Sequence, residues 1–124
     1  MKVSTGDIVR LPMVGMDGEP KPRPAVVLCR LPGRFQTWLM AGISTSPRAV
    51  MPNWDIAIDP SVEWWTATGL ERRSAIRLSY LQAVSEAVII DRLGTVPSDE
   101  VTRLQARLSR LLLHADEVTA RTQV

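Results

Sequence analysis

The period of the apolar residues changes once along this chain, and that change limits the folds open to it. Up to Gly94 the apolar residues come in short runs, several alternating with polar ones and parted by glycine or proline. After Pro97 they recur at three- and four-residue steps, as Val101, Leu104, Leu108, Leu111, Leu112 and Ala115. The first pattern is that of β-strands joined by tight turns, and the second is one face of a helix. Strands first and one helix last predict a mainly β fold, a small barrel or sandwich. The helix packs on it or across a dimer interface.

The strands can be read one by one. "GDIVRLPM" (Gly6 to Met13) alternates and is expected to stop at Pro12. Residues Val14 to Pro22, with their glycines, prolines and acids, read as a loop. "AVVLCR" (Ala25 to Arg30) is the second strand, and "TWLMAGIS" (Thr37 to Ser44) is a third, apolar on both faces as a central strand would be. "WDIAID" (Trp54 to Asp59), "SAIRLSY" (Ser74 to Tyr80) and "AVIIDRLG" (Ala87 to Gly94) supply the others. Ser98 is the expected N-cap of the helix, with Asp99 and Glu100 facing its dipole and Asp99 paired with Arg103. Arg103, Arg107 and Arg110 share a face read as solvated.

At 124 residues, the chain is expected to form one domain over residues 1–116, with a frayed tail over 117–124. Cys29 is the single cysteine, so no intrachain disulfide forms. It reads as a small buried hydrophobe in a reducing compartment. The N-terminus has no apolar signal region and no run is long enough to span a bilayer, so a cytoplasmic protein is expected. Trp54 is expected in the core. Trp64 and Trp65 are open between barrel closure and contact with bases or a partner's apolar tail.

The chemistry-bearing residues are few. One cysteine and one histidine cannot build the usual zinc site, so no metal or other cofactor is expected. His114 falls in the last helical turn, where it suits the C-terminal carbonyls better than catalysis. Neither a P-loop nor a dinucleotide fingerprint is present. What remains is arginine, hydroxyls and carboxylates, a set suited to phosphate chemistry. A net charge of +2 is too mild to argue for nonspecific duplex binding. In "KPRPAVVL" (Lys21 to Leu28), Arg23 stands between Pro22 and Pro24 at the mouth of an apolar strand. The prolines restrict the backbone there to extended conformations. Read without further context, Arg23 is either a surface arginine at a strand edge or a guanidinium held for a purpose.

The order of the segments resembles the MazF/PemK family of toxin ribonucleases. The resemblance runs through "GDIVRLP" (Gly6 to Pro12), "RPAVVL" (Arg23 to Leu28), "AGISTS" (Ala41 to Ser46), "TGLERRSAIRL" (Thr68 to Leu78) and "RLGTVPSDEVTRLQARLSRLL" (Arg92 to Leu112). It implies a small SH3-like β-barrel with a C-terminal α-helix, a homodimer, cleavage of single-stranded RNA without a metal, and a cognate antitoxin that blocks the site. By the same resemblance, Arg23 matches the catalytic arginine that directly precedes a proline. Ser44 falls where the family has threonine at the end of the third strand, and a shift of one residue puts Thr45 there instead. The alternative for both is that they cap a turn. Arg77 matches an arginine of plasmid-borne relatives that is followed two residues later by an aspartate, whose place is taken here by Ser79. Arg23, Ser44 and Arg77 are thus the implied catalytic residues, and Lys21, Thr45 and Ser79 the implied RNA contacts. No residue stands out as the general base. Two other readings stay open: a binding or regulatory barrel without catalysis, and a toxin that inhibits a protein such as a topoisomerase.

Overall fold

A computed structural model describes residues 1–15, 18–46 and 50–117 of the chain. Six strands form one antiparallel sheet: β1 (Asp7–Val14), β2 (Pro20–Arg30), β3 (Thr37–Ser44), β4 (Ile56–Ile58), β5 (Ser74–Ser85) and β6 (Asp91–Thr95). Their order across the sheet is β4-β5-β3-β2-β1-β6. A one-turn helix α1 (Trp65–Thr68) lies between β4 and β5, and α2 (Ser98–Leu113) closes the described fold. The sheet curls into a half-barrel, as the core shows. Ile8 of β1 and Ile58 of β4 belong to the same buried cluster although three strands lie between them. Val101, Leu104 and Leu108 of α2 complete that cluster.

Side chains of β2 and β3 alternate between two cores. Val26, Leu28, Ala41 and Ile43 face the helix-covered cluster. Ala25, Val27, Trp38 and Met40 face a second one with Val9, Leu11 and Met13 of β1. Burial on both faces is why these two strands read as continuous apolar runs. Arg23 follows Ala25 and Val27 in the alternation of β2, so its side chain leaves the strand on the side of the second core.

Several expectations are corrected. Pro12 does not stop β1, which runs to Val14 with Pro12 directly opposite Pro22 of β2. Both prolines sit where a missing N–H costs little. Pairing of β1 with β6 ends at Arg10, and pairing of β2 with β3 begins at Ala25. The expected loop is therefore shorter, because β2 already starts at Pro20. Strand "AVIIDRLG" splits into a 3₁₀ turn over Glu86–Val88 and β6. The N-cap of α2 is Pro97, one residue before Ser98. The carbonyl of Pro97 accepts the first helical bonds, from the N–H groups of Glu100 and Val101.

The apolar stripe of α2 is also narrower than expected. Leu111 packs on the core, but Leu112, turned 100° from it, is 74% exposed. Arg103 pairs with Glu100 at 3.4 Å rather than with Asp99. Arg107 is not solvated: its Nη1 donates to the carbonyls of Trp54 (2.9 Å) and Asp55 (3.2 Å). Cys29 is half-buried, just past a bulge between Val27 and Cys29. Trp54 is buried as expected. Trp64 and Trp65 both pack against the core, which neighbouring residues can do because the chain turns helically there. Of the expected tail, residues 118–124 lie outside the described residues.

Candidate active site

An open cleft of about 810 Å³ lies where β1 ends, β2 begins and β3 ends, with β5 as its far wall. Arg23, Ser44, Thr45, Arg77 and Ser79, far apart in sequence, all line it. Lys21, two residues before Arg23, is exposed and is not among the lining residues. His114 caps the C-terminus of α2, away from the cleft.

Arg23 is fixed from two sides. Its Nε donates to the carbonyl of Met13 at 3.1 Å. Its guanidinium lies against Gly15, where a Cβ would stand 2.5 Å from Nη2 and 2.8 Å from Cζ. A side chain here would push the guanidinium out of this position, so Gly15 is the floor on which the guanidinium rests. The prolines on either side hold the Cα, and the Met13 carbonyl and Gly15 hold the far end.

Ser44 ends β3. Its Oγ accepts the N–H of Ser46 at 3.1 Å, so it does cap a turn. A hydroxyl can accept one bond and still donate its own proton, and Ser44 still lines the cleft. The β2–β3 register pairs Ala25 with Gly42. Continued by two residues, it sets Ser44 across from Arg23.

The far wall depends on an irregularity. Between the pairs Ala41–Leu81 and Ile43–Ile76, β3 advances two residues while β5 advances five. The surplus on β5 is a wide bulge from Arg77 to Tyr80. It changes the alternation: Ile76 and Leu78 face the helix-covered core, whereas Tyr80 packs on the other. Arg77, Ser79 and Tyr80 thereby line one cleft. Arg77 Nη2 donates to Ser79 Oγ at 3.0 Å. Tyr80 crosses over Gly42, where a Cβ would meet its ring carbons at 2.2 and 2.7 Å, and its hydroxyl donates to the Val14 carbonyl at 2.7 Å.

The carboxylate beside Arg77 comes from an unexpected place. Asp55, just before β4, has a fully enclosed side chain, and its Oδ2 lies 3.9 Å from Arg77 Nε. Sequence reasoning did not select Asp55, Tyr80, Gly15 or Gly42. The signal available for Asp55 was its position beside the alternating Ile56 and Ile58, which needs the β4–β5 register to become informative.

The described lining residues carry two guanidiniums and no carboxylate. These lining residues offer positive charge, with hydroxyl donors from β3 and β5. Guanidiniums and hydroxyls together are suited to the oxygens of a phosphate diester. A smaller hollow of about 130 Å³ shares Ser44, Thr45 and Ser46 with the cleft and includes Asp59 and Arg73. The Asp59 carboxyl is held below its usual range by bonds from the Ser61 hydroxyl and N–H, with Arg73 adding attraction.

Comparison with known proteins agrees with the fold. A family model described as a PemK-like, MazF-like toxin of type II toxin–antitoxin systems matches residues 4–112. The toxin MazF-mt6 of Mycobacterium tuberculosis superposes with a TM-score of 0.62 at 17% identity, over 86% of this chain and 95% of that one. A mycobacterial endoribonuclease in complex with its cognate antitoxin gives 0.62 at 14% identity, over 91% and 97%. The MazE–MazF structure from Deinococcus radiodurans gives 0.61 at 15%, over 90% and 96%. These similarities are ones of fold. No curated protein sequence matches significantly. The family model spans nearly all of the sheet and α2, and the chain belongs to the PemK-like, MazF-like toxin family of type II toxin–antitoxin systems.

Proposed function

We propose that the cleft cuts single-stranded RNA, and that the chain is the endoribonuclease toxin of a toxin–antitoxin pair. The carrying observation is that Arg23 and Arg77 line one open cleft together with the hydroxyls of Ser44, Thr45 and Ser79. The ribose 2′-oxygen attacks the adjacent phosphorus. The bond from phosphorus to the 5′-oxygen breaks, leaving a 2′,3′-cyclic phosphate that water can open to a 3′-phosphate. The proton lost from the 2′-hydroxyl is balanced by the one taken up at the leaving 5′-oxygen. Arg23 neutralises the charge that builds on the phosphoryl oxygens, its seat on Gly15 setting the direction of its fork. Arg77 offers a second cation, and Ser44 a proton to orient the phosphate. A guanidinium does not release its proton readily, so Arg23 acts by charge rather than as an acid.

This chemistry draws on side chains of the chain itself. Cleavage of a single-stranded RNA is therefore expected to proceed at the same rate in excess EDTA. Loss of activity on chelation, restored by magnesium, would reject the arginine-based mechanism.

The partners follow from the same reading: an RNA message, an antitoxin that covers the cleft, and a second copy of the chain, in the cytoplasm. Among the described residues, no helix is long and apolar enough to cross a membrane. Leu112 and Leu113 at the end of α2, each 74% exposed, and Val88 and Ile90 before β6 leave apolar surface for a partner. A homodimer is expected at micromolar concentration. A sedimentation mass of one chain at that concentration would contradict it.

A further inference from the structure

Arg77 presents two facts that its place in the cleft does not explain. Its Nε is buried and has no hydrogen-bond partner. Its ion-pair partner is a carboxylate at 3.9 Å, Oδ2 of Asp55, whose side chain is wholly enclosed. A carboxylate is rarely shut away from water unless its charge is matched. Asp55 is matched by three groups. Its Oδ1 accepts the N–H of Leu78 at 3.1 Å, its Oδ2 accepts the N–H of Met51 at 2.8 Å, and Arg77 supplies the opposite charge.

The fold brings the two together deliberately. Ile56 of β4 pairs with Ile76 of β5, and the same register carried one residue further sets Asp55 opposite Arg77. The backbone of Asp55 is fixed in turn: its N–H donates to the Met51 carbonyl at 2.8 Å, and its own carbonyl accepts from Arg107 of α2. Asp55 therefore has little freedom to follow Arg77, whereas the longer arginine can move towards it.

We propose that Asp55 is the positioning residue of Arg77: it holds the Nε edge of the guanidinium so that the Nη groups face a phosphate in the cleft. The proposal rests on the reading of this cleft as an RNA-cleaving site. On this account the carboxylate absent at Ser79 is supplied by the residue just before β4 instead, while Ser79 accepts from Nη2. Asp55 is buried and touches no substrate, so it acts only through Arg77. By closing the 3.9 Å gap, Arg77 engages its Nε–H with Asp55; one Nη2 N–H stays with Ser79 and the other Nη N–H groups face the phosphate oxygens.

The test uses Asp55→Asn, Arg77→Ala and the double variant, in single-turnover cleavage of a single-stranded RNA with thermal melting beside it. Asparagine keeps the shape and removes the charge, and it gives up one of the two backbone N–H bonds, a loss that is the same in both backgrounds and that melting reads. Asp55→Asn is expected to lower the cleavage rate about 10- to 100-fold, the scale of a misdirected catalytic group. In the Arg77→Ala background the same change is expected to cost nothing further. An Asp55 that merely held residues 51 and 78 in place would lower activity in both backgrounds. A parental rate in Asp55→Asn, or an equal loss in both backgrounds, would overturn the proposal. A second readout needs neither activity nor a variant that folds. In the parental protein, the Arg77 Nε–H proton resonance should lie downfield of that of the exposed Arg34. A resonance at the position of Arg34 would refute the contact. A parental chain that cuts no RNA yet shows the shifted resonance would refute the ribonuclease reading and leave the pairing of Asp55 with Arg77 standing.

Discussion

Replacing Arg23 by alanine should lower RNA cleavage about 10²- to 10³-fold, the usual cost of removing one preorganised donor from a developing oxyanion, and leave the fold intact. The side chain is not part of either buried core. Arg23 is half-buried at the rim of the cleft, and its Nε donates to the Met13 carbonyl. Losing such a bond costs about 1 kcal/mol, and the vacated space at the cleft mouth is open to water. Its β-strand geometry does not depend on the side chain, because Pro22 and Pro24 set the backbone on both sides. Arg23→Lys should recover little. An ammonium cannot keep one N–H on Met13 while presenting a planar pair of donors to a phosphate, whereas a guanidinium can. Growth arrest on expression should vanish in both variants. The measurement is cleavage of a single-stranded RNA with melting as the folding control. A well-folded Arg23→Ala protein cutting at the parental rate would remove Arg23 from the mechanism.

The parts of this fold that could be read from sequence are those set by local chemistry. β3 spans Thr37–Ser44 as its apolar run predicted, because burial on both faces writes itself directly into composition. The collar at Arg23 was legible for the same reason, since proline constrains its neighbours wherever the chain goes. The strand ends were less so. Pro12 reads as a stop, but a proline is tolerated where no strand pairs on that side, and that depends on where β6 runs out. The far wall of the cleft was least legible. The spacing of Arg77 and Ser79 was visible, but the bulge that gives Tyr80 to the same wall exists only against β3. Asp55 lies 22 residues before Arg77, and nothing local to either predicts the contact. Close approach explains the glycines too. Gly15 and Gly42 carry no sequence signal of their own, because the atoms that a side chain would meet belong to Arg23 and Tyr80.

Gly42 gives the second large effect, and its sign runs against the usual rule. Glycine inside a strand ordinarily weakens it, and alanine there gains about 0.4–1 kcal/mol by restricting the unfolded chain. Gly42 has no positive φ that would forbid alanine. The obstacle is the Tyr80 ring, with Cδ2 at 2.2 Å and Cγ at 2.8 Å from the position of the new methyl. Contact at Cγ involves the root of the side chain, so a rotation of the ring does not relieve it. The ring or the β5 bulge has to move. Overpacking of this kind costs about 3 kcal/mol, which outweighs the backbone gain. For a chain of this size the melting temperature should fall by about 10 °C. Activity should fall with it, by about tenfold, measured well below the melting transition. The displaced ring gives up its bond to the Val14 carbonyl, the residue next to the Gly15 floor under Arg23. The decisive control is Gly42→Ala in a Tyr80→Ala background, where the methyl has room and should be neutral or stabilising. The coupling between the two sites then accounts for nearly the whole loss. An equal drop in melting temperature in both backgrounds would mean that Tyr80 is not what Gly42 makes room for. The account of the far wall of the cleft would then have to be redrawn.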